Sequence, residues 1–163
     1  MVLKVSQIMN RKVKTAFPVA NKSLDHLYPL GAKQDLSRQM RFESKLASYM
    51  EFKNYNKIMD LGCSGGAFIS NMHNIGYLAI GLEGSDFSKV NKRGPWAYLS
   101  DFVLFTSDIT KHFEVLISNK KSPERFDIIT AFEVLEHIKE KQIDSLFKNI
   151  EIHSHKNSRL IFS

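Results

Sequence analysis

One cysteine, Cys63, occurs in the 163 residues of this chain. A single thiol excludes an internal disulfide and suits a reducing compartment, so the expected location is the cytoplasm. No apolar run is long enough to span a bilayer, and no membrane partner is expected. Low-complexity tracts and internal repeats are also missing. Acidic residues are scarce in one region only: residues 1–34 hold six basic side chains (Lys4, Arg11, Lys12, Lys14, Lys22, Lys33) against a single acid, Asp25. That stretch carries +5 of the formal +6, and the rest of the chain is nearly neutral. The larger part therefore lacks the overall basic bias of a nucleic-acid enzyme, and no nucleic-acid partner is expected.

The composition that remains is 43% apolar and 25% charged, ordinary for one soluble globular domain with a real core. Three of the eight glycines fall between residues 62 and 66. They end an apolar run (Ile58, Met59, Leu61) and precede a helical pattern of Phe68, Ile69, Met72 and Ile75, stopped by Gly76. A buried strand thus feeds a glycine turn that opens a helix. Such a turn brings a ligand close to bare backbone at the positive end of a helix dipole, although many glycine turns serve packing alone. The spacing is not the dinucleotide fingerprint G-x-G-x-x-G, which argues against an oxidoreductase of the NAD type.

Three later segments fall into register with this turn. Tyr77 to Asp86 holds a second apolar strand ending at Glu83, seventeen residues after Gly66. A carboxylate there can accept both hydroxyls of a ribose. Phe102 to Thr110 holds a third short strand ending at Asp108, which can accept from an adenine amino group or cap a turn. Phe126 to Ile138 runs from a fourth strand into Glu133, Glu136 and His137.

Together these segments resemble the class I S-adenosylmethionine-dependent methyltransferases, over about residues 35–163. Asp60-Leu-Gly-Cys-Ser-Gly-Gly66 is similar to the family's first motif, with Ser64 where many members have glycine. The fourth-strand stretch resembles that of small-molecule methyltransferases of the ubiquinone-biosynthesis type. The resemblance implies S-adenosylmethionine as cofactor. It also implies Asp60, Gly62, Cys63, Ser64, Gly65, Gly66, Glu83, Gly84, Asp108, Ile109, Ala131 and Phe132 as cofactor-binding residues. The backbone of 62–66 would take the methionine end, Glu83 the ribose and Asp108 the adenine. Glu133 and His137 are the catalytic candidates, with His137 the better general base because histidine as a residue type is suited to moving protons near neutral pH. No metal is expected, although Glu133, Glu136 and His137 also resemble the metal cluster of small-RNA 3′-terminal 2′-O-methyltransferases.

The implied fold is α/β, a Rossmann-like doubly wound sheet, mostly parallel, of strand order 3-2-1-4-5, flanked by helices. Strands are expected near 57–61, 77–83, 102–107, 125–132 and 159–163. Helices are expected near 35–50 (capped by Asp35 or Ser37), 66–75 and 139–153, with a short one at 111–119. The last long helix carries a stripe of Ile143, Leu146, Phe147 and Ile150 that reads as core. Residues 87–101, where the family has a helix, read as an irregular loop. Trp96 and Tyr98 there could line an acceptor site with Lys89, Lys92 and Arg93, or Trp96 could simply anchor the loop. Residues 1–34 read as a basic extension, helical in part through Val2, Val5, Ile8 and Met9, and as a solvated arm over the cofactor. Within it, Tyr28 and Leu30 to Lys33 suggest a lid. The family's sheet continues past its fifth strand with a helix and an antiparallel hairpin, so the 35–163 core reads as C-terminally truncated. An apolar edge at the fifth strand predicts self-association. The expected activity is methyl transfer to a small-molecule acceptor. The alternatives are a unit that binds the cofactor without transferring its methyl, and a metal-dependent RNA 2′-O-methyltransferase.

Overall fold

The computed structural model describes residues 11–20, 36–118 and 120–163. The readings placed on Val2 to Met9, on a lid of Tyr28 and Leu30 to Lys33, and on Asp35 as a cap lie outside these residues. The elements are β1 (Arg11–Thr15), α1 (Leu36–Lys53), β2 (Lys57–Leu61), α2 (Ala67–Asn74), β3 (Leu78–Glu83), α3 (Phe87–Val90), α4 (Trp96–Leu99), β4 (Leu104–Thr106), β5 (Phe113–Ile117), β6 (Ile128–Ala131), a 3-10 turn (Leu135–His137), α5 (Glu140–Ile152) and β7 (Arg159–Phe162). Ser37 lies inside α1 and does not cap it.

Five strands form one sheet in the order β4-β3-β2-β6-β7. All four pairings are parallel, and no antiparallel strand joins this sheet among the described residues. In order of appearance this is the expected 3-2-1-4-5. Parallel strands need crossover connections, and helices on both faces make their residues continuously apolar. Accordingly every residue of β6 is buried, as are Ile58 to Leu61 of β2 and Ala79 to Glu83 of β3. Winding reverses between β2 and β6, which leaves a crevice at their carboxyl ends, where open α/β sheets bind ligands.

The structure corrects four readings. Residues 113–117 are a strand, not part of a helix: Phe-Glu-Val-Leu-Ile is rich in β-branched and aromatic residues, with Phe113 and Val115 buried to either side of half-buried Glu114. β5 pairs antiparallel with β1, from Arg11 opposite Ile117 to Thr15 opposite Phe113. Residues 11–15 are therefore not a solvated arm; Arg11, Val13 and Thr15 alternate with exposed Lys12 and Lys14. The stretch 87–101 contains two one-turn helices rather than irregular loop throughout. In the α5 stripe Leu146 and Ile150 are buried, but Phe147 is 42% exposed and meets Phe162 edge-on.

α5 is fastened by a buried histidine. His153 Nε2 accepts the Val115 amide at 3.0 Å and Nδ1 donates to the Asn149 carbonyl at 2.7 Å. That fixes a neutral tautomer, and burial holds the imidazole pKa below its ordinary value. The ring stacks on Phe113 with centroids 4.9 Å apart.

Candidate functional site

The glycine turn is built around backbone that only a few residues tolerate. Gly62 and Gly66 take φ of 77° and 78°, and Ser64 takes φ 48°. A Cβ at Gly66 would stand 2.6 Å from Leu104 Cδ1, and one at Gly62 would stand 2.4 Å from Val134 Cγ2. Four of the five amides in the turn already donate within the chain: Gly62 and Cys63 to the Leu82 carbonyl, Gly66 to the Cys63 carbonyl, and Ser64 to Glu83 Oε2 at 2.7 Å. Gly65 is exposed, nothing lies within 4 Å of where its Cβ would be, and its amide has no hydrogen bond among the described residues. The expectation that the whole turn presents amides to a ligand narrows to this one.

Glu83 organises the site. It is buried at 7% exposure at the end of β3, and its second oxygen accepts the Ser85 amide at 3.1 Å. Trp96, 1% exposed, donates its indole N–H to the Ser64 carbonyl at 2.8 Å. The Ser64 peptide unit is thus gripped on its N–H by Glu83 and on its C=O by Trp96. Of the two readings of the 87–101 loop, the structure gives the anchor: Tyr98 is 62% exposed, Lys89 is paired with Asp101 at 2.7 Å, and Arg93 lies over the Phe87 ring.

Asp60, on β2, is buried and accepts the Thr130 hydroxyl at 2.6 Å across the β2–β6 ladder. Burial pushes its carboxyl up to about 7; the Thr130 bond opposes this and the nearby Glu83 charge adds to it. The Cys63 thiol is buried, and burial with those two carboxylates holds it far above its ordinary range, so it stays protonated. It fills the space over Gly81, where a Cβ would meet Sγ at 2.6 Å.

Asp108 follows β4. Its Oδ1 accepts both the Thr110 amide, at 2.9 Å, and the Thr110 hydroxyl, at 2.7 Å. α5 steadies this loop from below: Gln142 donates to Thr110, and Asn149 donates to the carbonyls of Ile109 and Lys111. Ile109 is buried and Ala131 is fully buried, so both belong to the floor. Phe132 is half-buried in a group of three rings with Phe42 and Phe68, centroids 5.0 to 6.0 Å apart. Gly84 lies against Ala20, and a Cβ there would approach the Ala20 Cβ at 3.3 Å.

Asp60, Cys63, Ser64 and Glu83 therefore converge, and Asp108 joins them through the Ser107 amide on the Glu83 carbonyl. Glu133 and His137 stand apart. Glu133 is exposed at φ 53°, and its contacts run to Ser163 at 3.3 and 3.4 Å. His137 has 56% of its side chain exposed and lies 3.9 Å from Glu136. Among the described residues no three His, Cys, Asp or Glu side chains are grouped to hold a metal ion. Sequence reading missed Arg11, Thr130, Glu124 and the contacts of Trp96; the alternation of Arg-Lys-Val-Lys-Thr was the one signal available for the first.

A family model described as a methyltransferase domain matches residues 19–163. The chain belongs to that family. Comparison with curated proteins finds no match. Among solved structures, the PH0226 protein from Pyrococcus horikoshii OT3 superposes with a TM-score of 0.54 at 14% identity, over 88% of this chain and 66% of its own. A S-adenosylmethionine-dependent methyltransferase from Clostridium acetobutylicum ATCC 824 gives 0.51 at 15%, over 85% and 55%. Magnesium protoporphyrin IX methyltransferase from Synechocystis PCC 6803, solved with bound SAH, gives 0.51 at 14%, over 77% and 54%. At these identities the likeness is one of fold, and it agrees with the class I reading. The methyltransferase domain spans between about half and two thirds of the length of these neighbours. No helix among the described residues is long and apolar enough to cross a membrane.

Proposed function

We propose that this methyltransferase domain binds S-adenosylmethionine and transfers its methyl group to a small-molecule acceptor in a reducing cytoplasm. The observation that carries the reading is the Glu83–Ser64 bond, which locks a ribose-competent carboxylate to a glycine turn at the carboxyl end of the central strands. The residues present fit the cofactor. Gly65 leaves open space and an amide for a carboxylate. Asp60, raised to about 7 by burial, would give up its proton beside a cationic ligand, and with Glu83 it would then face the sulfonium and ammonium cations. Asp108 keeps Oδ2 for an adenine amino group, since Oδ1 is occupied by Thr110.

Bound S-adenosylmethionine supplies an already activated methyl on sulfur, so the chain's task is alignment and exclusion of water. Glu83 would fix the ribose, and the Trp96–Ser64–Glu83 grip would hold the turn at the methionine end without rearrangement. An oxygen or nitrogen acceptor must lose a proton, and His137, with Glu133 just before its 3-10 turn, is the proposed general base.

Titration of S-adenosylmethionine, SAH and NAD by calorimetry, on wild type and Glu83→Ala, tests the reading. Binding of the first two alone, lost in the variant, supports it. Wild type that binds none of the three overturns it. The exposure of Glu133 and His137 favours a second reading, a unit that binds the cofactor without transferring the methyl by itself. Tight SAH binding with no turnover on any acceptor panel would support that one.

A further inference from the structure

Resting on the cofactor reading above, we infer that Phe17–Ala20 is the outer wall of the nucleoside end of the crevice, and that Arg11 is the positioning residue that latches it. The argument begins in β1. Arg11 reaches Glu124 with two nitrogens, Nε at 2.6 Å and Nη2 at 2.8 Å. Both side chains are nearly solvent-free, at 6% and 1% exposure. Lys57, the first residue of β2, completes the group at 3.1 Å from Glu124 Oε1. A planar, bidentate guanidinium fixes direction as well as distance. β1 is thus registered against β5 by its backbone and tied to the central strand by charge.

The chain leaving β1 is steered at once. The Thr15 hydroxyl donates to the His112 carbonyl at 3.2 Å and accepts the Phe17 amide at 3.0 Å. The Phe17 carbonyl then accepts the Asp108 amide at 2.9 Å, and the Ala20 amide donates to the Gly84 carbonyl at 2.7 Å. Gly84 directly follows β3, and Asp108 lies two residues past the end of its neighbour β4. Four residues therefore cross the carboxyl ends of both strands as a strap, bonded once to each. The strap lies beside the two acids read as the adenine and ribose partners. It also accounts for Gly84, because a side chain there would push against Ala20.

A wall held this way should tighten around a nucleoside and loosen without its latch. Two variants separate these parts: Arg11→Met removes the latch, and Ala20→Pro removes the N–H that bonds Gly84. The probe is SAH, titrated calorimetrically at a temperature where thermal melting shows each variant folded. Amide hydrogen exchange at Ala20 and Asp108 is followed in the wild type with and without SAH. SAH should slow exchange at both amides, and each variant should bind it about tenfold more weakly. Variants that bind SAH like the wild type, or Ala20 and Asp108 amides whose exchange SAH leaves unchanged, would overturn the inference. If Arg11→Met does not fold, the wild-type exchange data and Ala20→Pro decide. Glu83→Ala is the control for the cofactor reading. Loss of binding there, with unaffected strap variants, removes the strap alone; wild type that does not bind SAH removes both.

Discussion

Glu83 Oε2 accepts the Ser64 amide at 2.7 Å, joining the end of one strand to the middle of the turn that follows its neighbour. The bond holds a serine at φ 48°, a conformation that costs a non-glycine residue roughly 1 kcal/mol. Glu83→Gln keeps the shape but places an amide where both oxygens now accept. It should weaken SAH binding by about tenfold to a hundredfold, roughly one to two charge-assisted hydrogen bonds. It should also lower the Asp60 pKa by removing a neighbouring charge. Calorimetric titration and NMR titration of the carboxyl carbon read the two effects separately.

Trp96 is the chain's single tryptophan, and its indole N–H ends on the Ser64 carbonyl. Its fluorescence should therefore change on SAH binding without any introduced probe. Trp96→Phe keeps most of the packing but leaves a turn carbonyl without its donor, at a cost of about 1–3 kcal/mol. Urea unfolding should show that loss, and SAH affinity should fall with it. Unchanged affinity would show that the turn holds its shape without the indole.

The Asp60 carboxyl sits at about 7 in the folded chain, against an ordinary value of 3.8. The folded state thus holds this proton more tightly than the unfolded state. Its contribution to stability is fully present below about 3.8 and is lost as pH rises through about 7. Across that window the slope is about −1.4 kcal/mol per pH unit. The difference between wild-type and Asp60→Asn unfolding curves should show it. A cationic ligand beside Asp60 should also expel the proton, giving calorimetric heats near pH 6–7 that depend on the buffer.

Glu124 moves the other way. Burial alone would raise its pKa, but the Arg11 and Lys57 charges outweigh this and hold it below 4.5. Its stabilising effect is therefore present above about 4.5 and disappears as pH falls through the depressed value. Arg11→Met leaves a nearly buried carboxylate with Lys57 alone, and should cost about 3 kcal/mol at neutral pH and much less near pH 3. Urea unfolding at the two pH values measures both.

β7 is one of the two edges of the sheet among the described residues, and Leu160 on it and Phe147 beside it are each 42% exposed. Edge strands with apolar side chains pair with other chains. Size-exclusion elution should shift to larger species as concentration rises, and Leu160→Lys should abolish the shift. A clean monomer over a wide concentration range would contradict this.

The parallel sheet was legible because its strands are apolar runs, and the two central ones that carry the turn and the acid stop at Gly62 and Glu83, where a ligand can begin. Glu83 and Asp60 were legible for the same reason. The β1–β5 pair was not, because a five-residue alternation with three cationic side chains is too short and too polar to mark a strand by itself, and its partner is 98 positions or more away in sequence. Arg11 and Glu124 each look like surface charges in sequence; only the register that brings them together buries them. Phe147 was read as core because its helical spacing is that of Leu146 and Ile150, yet it stands on the flank of that stripe, against Phe162 of the edge strand β7.

The separation of 113 residues between Arg11 and Glu124 also bears on how the chain reaches this structure. The βα units of the central sheet form from neighbouring segments, whereas β1 has no partner until β5 and Glu124 exist. Contacts of such long range are formed late and slow folding. During synthesis, β1 must wait until β5 emerges, and until then Arg11 to Thr15 offer an unpaired strand edge. The last part of the crevice to assemble is therefore built from residues made well before the strand that holds them.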